Sequence, residues 1–103
     1  MAQKVVHASK TVTTAGTRVQ FSTSDLPVLS IYFEALDTNT GKIYIGTSTV
    51  SSSDYVAELD AKVGVSIEAG EMHGTLQEFI LSDFWIDSSV NGEKVLVTYI
   101  TRR

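Results

Sequence analysis

The sequence predicts an all-β chain: a single antiparallel β-sandwich of about seven or eight short strands, Ig-like or jelly-roll-like in order. Three observations lead there. Short runs of β-branched and aromatic residues recur between clusters of Gly, Asn, Asp and Ser. Ser and Thr fill most of the space between the apolar runs, which favours strands and turns over helices. The 103 residues suffice for one domain and not for two ordinary cores.

The elements follow in order. Residues 1–10, MAQKVVHASK, interleave Lys4, His7, Ser9 and Lys10 with Val5, Val6 and Ala8. They read as an N-terminal arm or first strand, ahead of a sandwich domain over residues 11–103. Residues 11–14 are β-rich and end at Ala15-Gly16; residues 17–22 follow, with Val19 and Phe21 on one face. After a polar loop closed by Pro27, residues 28–35 make the strongest strand. Leu29, Ile31, Phe33 and Ala35 alternate on its core face, and Val28, Ser30, Tyr32 and Glu34 take the other. Residues 37–41 form a hairpin turn, and Ile43 and Ile45 anchor its return strand. A hydroxyl-rich loop over residues 47–54 leads to strands at 55–59 and 63–68, where Val65 and Ile67 face inward. Residues 76–81 read as a packed loop with about one turn of helix, since six residues are too few for periodicity. FWIDSSV, Asn91-Gly92 and EKVLVTYIT then predict a β-hairpin on a type I′ turn. Its register sets Ser88 against Val95, Ile86 against Val97 and Phe84 against Tyr99, with the apolar set in the core.

Charge and composition exclude whole function classes. A net charge of −4 and scattered basic residues argue against nucleic acid and anionic membrane surfaces as partners. The absence of cysteine removes disulfides, thiolate metal sites and cysteine nucleophiles. The N-terminus lacks an apolar signal-peptide core, and no run approaches a membrane-spanning helix.

Chemistry is equally sparse, and no enzyme is expected. His7 and His73 are far apart, and neither has a spaced ligand partner. Asp54, Glu58 and Asp60 cluster, as do Asp83 and Asp87, without a calcium-loop pattern. No G-x-S-x-G elbow, phosphate loop or glycosylation sequon occurs. No catalytic, cofactor-binding or metal residue is therefore expected. The remaining candidates are contact residues: Lys4, Val5, Val6 and His7 in the first segment, then Tyr55, Trp85 and Leu96. Trp85, Leu96 and Ile100 are expected to share one face of the last hairpin, either covered by a loop or used as a subunit interface. Tyr44, Tyr55 and Trp85 with nearby Asp would serve the alternative, a glycan- or receptor-binding module of a phage tail, fibre or head.

The block ALDTNTGKIYIGTSTVSSS resembles a recurring signature of small tailed-bacteriophage virion proteins. The following VGVSIEAGE and SDFWIDSSVNGEKVLVTYI match its later blocks, and TVTTAGTRVQFSTSDLPVLSIYFEAL resembles its opening strands. The likeness spans residues 10–100, and EMHGTLQEFILSD looks longer than the corresponding link. The resemblance implies a non-enzymatic capsid decoration or cement protein, made in the host cytoplasm and placed on the outer surface of the phage head. Such a protein would take the major capsid protein and further copies of itself, as a trimer, for partners.

Overall fold

The computed structural model describes residues 3–68, 71–72, 75–76 and 79–102. Its strands are β1 (Gln3–Val12), β2 (Val19–Gln20), β3 (Pro27–Val28), β4 (Ser30–Ala35), β5 (Ile43–Gly46) and β6 (Ala57–Leu59). They continue as β7 (Gly64–Glu68), β8 (Glu71–Met72), β9 (Thr75–Leu76), β10 (Phe79–Ile80), β11 (Trp85–Ser88) and β12 (Glu93–Arg102), with a 3₁₀ turn at Leu81–Asp83. Two antiparallel four-stranded sheets form the layers, ordered β1-β12-β4-β7 and β2-β11-β5-β6. Two-stranded ribbons, β10-β3 and β8-β9, complete the all-β fold, which is compatible with a β-sandwich.

Alternation explains which residues lie between the layers. Ile31, Phe33 and Ala35 of β4 are buried, and so are Val95 and Val97 of β12, their cross-strand neighbours in the first sheet. Ile43 and Ile45 of β5 and Ile86 of β11 meet them from the second sheet. Phe33 and Phe84 pack tilted, with ring centroids 5.5 Å apart, and Phe79 makes a T-shaped contact with Phe84 at 5.9 Å. Leu29 and Phe84 are buried as the pattern requires, while Val19, Phe21, Val65, Ile67 and Tyr99 pack on the cluster partly exposed.

Several expectations change. Val28 is buried rather than outward, because β3 leaves the first sheet to pair with β10 and breaks the alternation at Leu29. The strand expected over residues 17–22 shrinks to Val19–Gln20. The stretch 76–81, expected as a loop with a helical turn, contributes β9, β10 and the start of the 3₁₀ turn, while His73 falls outside the described residues.

The larger correction concerns the turns. The segments before and after Asn91-Gly92 do not pair: β11 lies in the second sheet, between β2 and β5, and β12 in the first, between β1 and β4. The turn crosses between layers. Gly92 takes a positive φ of 79° and Asn91 does not, so type I′ geometry is absent. The turn's groups bond outward instead. Gly92 N–H donates to the Val12 carbonyl at 2.8 Å, and Asn91 Oδ1 accepts from Ala15 N–H at 2.7 Å. Residues 37–41 likewise carry the chain from β4 in one sheet to β5 in the other, not round a hairpin.

The two crossings run side by side. Glu93, 5% exposed, turns its carboxylate onto the first: Thr40 and Gly41 N–H donate to Oε1 and Oε2 at 3.3 and 3.0 Å. Asn39 imitates a strand partner, donating from Nδ2 to the Lys94 carbonyl at 2.8 Å and accepting from Lys94 N–H at 3.1 Å. Gly41 is required because a Cβ there would collide with Ser89 Oγ and the Val90 side chain. Glu93→Ala removes the acceptor of two part-buried N–H groups and should cost about 1–3 kcal/mol, while Asn39→Ala, whose bonds are exposed, should cost about 0.5–1.5 kcal/mol. Because both brace the same pair of crossings, a double-mutant cycle in urea should show coupling above about 0.5 kcal/mol, and strict additivity would refute the shared role.

Candidate interaction surfaces

β1 runs through the boundary at residues 10 and 11 and pairs one-to-one with β12, from Gln3↔Arg102 to Val12↔Glu93. Register then sorts its side chains. Val5, His7, Ser9 and Thr11 share a face with Ile100, Thr98, Leu96 and Lys94. Across β12 the same face continues with Ser30, Tyr32 and Glu34, then Glu68, Ser66 and Gly64. This is the outer face of the first sheet, since Val95, Val97, Ile31 and Phe33 have the opposite parity. It is neither covered nor uniformly polar: Val5 is 64% exposed, Leu96 44% and Tyr32 39%. Tyr32 lies across Gly64, where any side chain would strike its ring.

The expected contact residues therefore do not form one surface. Val5, His7 and Leu96 converge on this outer face. Lys4 and Val6, opposite Thr101 and Tyr99, have the inward parity. Trp85, set between Gln20 and Gly46, and Tyr55 belong to the second sheet's side. The shared face expected for Trp85, Leu96 and Ile100 is thus not present, because β11 and β12 lie in different layers.

On the second sheet, Trp85, Asp87, Tyr44 and Glu58 have the outward parity. Loops cover much of that face. Gly16 N–H donates to Asp87 Oδ1 at 3.0 Å, leaving Asp87 3% exposed. Tyr44, which the alternative glycan-binding reading would use exposed, is buried beneath Tyr55, their ring centroids 5.4 Å apart. Lys42 Nζ bridges Asp60 at 2.8 Å and Glu58 at 3.3 Å, and these two carboxylates raise its pKa. Among the described residues no group of three or more His, Asp or Glu could hold a metal ion. Among the described residues no helix is long and apolar enough to cross a membrane.

The hydroxyl-rich loop closes on itself. Val50, 1% exposed, anchors it against Gly46, and Val50 N–H donates to the Thr47 carbonyl at 2.9 Å. Ser51 N–H donates to the Asp54 carbonyl at 2.8 Å, and Thr49 Oγ1 to Asp54 Oδ2 at 2.9 Å. Ser53 N–H donates to Ser51 Oγ at 3.2 Å.

No family model and no curated protein matches the sequence. Among solved structures the chain is similar to one described under "Bacillus endospore appendages form a novel family of disulfide-linked pili". The likeness has a TM-score of 0.47 and 16% identity, over 98% of this chain and 87% of that one. Similarity at that level carries no functional inference.

The tyrosines make the surface description testable. Burial first, then the Glu58 charge, raises the Tyr44 pKa above 10.0, and partial desolvation with Glu34 does the same for Tyr32. The folded state thus favours neutral tyrosine. Its advantage is full below the ordinary value and fades as pH rises through the raised ones. Absorbance titration at alkaline pH should show a component titrating above 10.0, reduced by Tyr44→Phe and by Tyr32→Phe. A single ordinary transition would contradict the burial described.

Proposed function

We propose that this chain is a non-enzymatic structural protein of a bacteriophage particle. It binds the outside of the head as a capsid decoration protein and stabilises contacts between major capsid subunits. The sequence resemblance over residues 10–100 supports the phage setting. The observation that carries the mode of action is the outer face of the first sheet, where Val5, Tyr32 and Leu96 stand exposed on a braced scaffold. Large apolar side chains grouped on one exposed face mark contact surfaces, and their burial against a partner supplies about 25 cal/mol per Å². A decoration protein multiplies such modest contacts by engaging several capsid subunits as a homo-oligomer, here a trimer. β1 belongs to this scaffold as a strand paired along its length, so its contribution is best tested by point substitution, not deletion.

Expanded heads lacking the protein provide the test. Wild type should saturate them. Val5→Asp and Leu96→Asp should each weaken binding about tenfold or more while changing folding stability by about 1 kcal/mol or less, since both positions are exposed. Failure of the wild type to bind heads, or full occupancy by the double variant, would overturn the reading.

A further inference from the structure

The first sheet ends at β1 on one side and β7 on the other, and the backbone polarity of both edges can be read from their neighbours. Ile100 and Lys94 carbonyls accept from Leu29 and Leu36 N–H on the β4 side. The even residues of β12 therefore bond toward β4 and the odd ones toward β1. In β1 the partners of those odd residues, Lys4, Val6, Ala8, Lys10 and Val12, bond to β12. Val5, His7, Ser9 and Thr11 are left with N–H and C=O pointing out of the sheet. Across β4, the Ala35 N–H and carbonyl bond to Val63 and Lys62. By the same alternation, Val65 and Ile67 bond inward and Gly64, Ser66 and Glu68 point out. Neither edge has a backbone partner among the described residues.

We propose that copies of this chain join edge to edge, β1 of one pairing antiparallel with β7 of the next, so that the first sheet runs on through the assembly. Strand direction fits. The sheet alternates strictly over four strands, so a neighbouring copy in the same orientation continues the alternation. The faces fit as well. The outward-bonding residues of both edges place their side chains on the outer face, so pairing keeps core face with core face. Val5, His7 and Ser9, or His7, Ser9 and Thr11, then meet Glu68, Ser66 and Gly64 of the partner subunit. Three such pairs exchange about six hydrogen bonds.

Charge disfavours one competing junction. β1 carries Lys4, His7 and Lys10 and no acid, while β7 carries Glu68 and no base. Two β1 strands paired about a twofold axis through His7 would set Lys4 against Lys10, and like charges directly opposite are destabilising. In that register the lysines, a usual guard on exposed edges, oppose β1 with itself. Such a heterologous contact closes into a ring when its rotation permits and otherwise grows open-ended. The inference adds the self-contact to the capsid reading but rests on the edges alone, and its test uses free protein, so either can fail without the other.

His7→Pro and Ser66→Pro each delete an outward N–H that has no backbone partner among the described residues, and proline is tolerated on sheet edges. By sedimentation and native mass spectrometry across a concentration series, the wild type should form multiples of the monomer. Each variant should associate about tenfold or more weakly with itself, at an unchanged circular dichroism spectrum. Mixed, the two variants should form a dimer and stop there, because one good edge of each kind remains. A monomeric wild type up to about millimolar concentration, typical of sites that need linkage to fill, would overturn the proposal. So would assembly that His7→Pro abolishes and Ser66→Pro leaves intact, the mark of β1 pairing with itself. Should a proline variant not fold, the cysteine-free background allows cross-linking: Ser66→Cys mixed with His7→Cys or with Ser9→Cys should form a disulfide between copies in one of the two mixtures. Absence of cross-linking in both would count against the junction.

Discussion

Two chain crossings between the layers run side by side, and the Glu93 carboxylate with the Asn39 amide holds them together. This contact matters because the sheets share few local turns. β4 passes to β5, β6 to β7 and β11 to β12 by changing layer each time. A strand entering a sheet by a crossing has no hairpin to set its register. Here the register of β12 is set at its first residue, where Glu93 is fixed to Thr40 and Gly41 and Lys94 is paired to Asn39. A charged acceptor receiving two backbone N–H groups in a nearly dry site is among the stronger devices available for this.

Once β12 is placed, the first sheet follows from it. β12 is the inner strand that carries β1 on one side and β4 on the other, and among the described residues β1 pairs with no other strand. Val12 is the only fully buried side chain described in β1, so most of that strand is held by backbone bonds to β12 and not by the core. The exposed face and the free edge are consequences of this arrangement. A strand held mainly along one side keeps its other polar edge and much of its side-chain surface for contact.

The inward residues were legible in the sequence because burial parity survives an error of topology. Ile86, Val95 and Val97 face the core whether their strands are neighbours in one sheet or lie opposite in two. For the same reason the pairing was not legible: Asn91-Gly92 specifies a reversal of direction, and both a hairpin and a crossing satisfy it. The deciding groups, Glu93 and Asn39, act across 52 to 55 residues of sequence. No local pattern reports such a contact. Val28 was misplaced through a related blindness, since strict alternation cannot foresee a strand that changes partners at Leu29. The candidate contact residues were chosen by type, and their division between two faces needed the layer assignment.

Residue types say less about the surface than strand order does. The Ser- and Thr-rich loop after β5 is the most conspicuous polar stretch in the chain, and it directs much of its hydrogen-bonding capacity inward, with Val50 as its anchor. Tyr44 is an aromatic of the kind that marks binding sites, and it is buried under Tyr55. Among the described residues, the first sheet also leaves strand backbone unpaired at its edges, β1 and β7, a capacity that every sequence possesses and no composition reveals. Whether a main-chain N–H is free depends only on which strands stand beside it. For a two-layered β domain, strand order is therefore the property from which its edge contacts must be read.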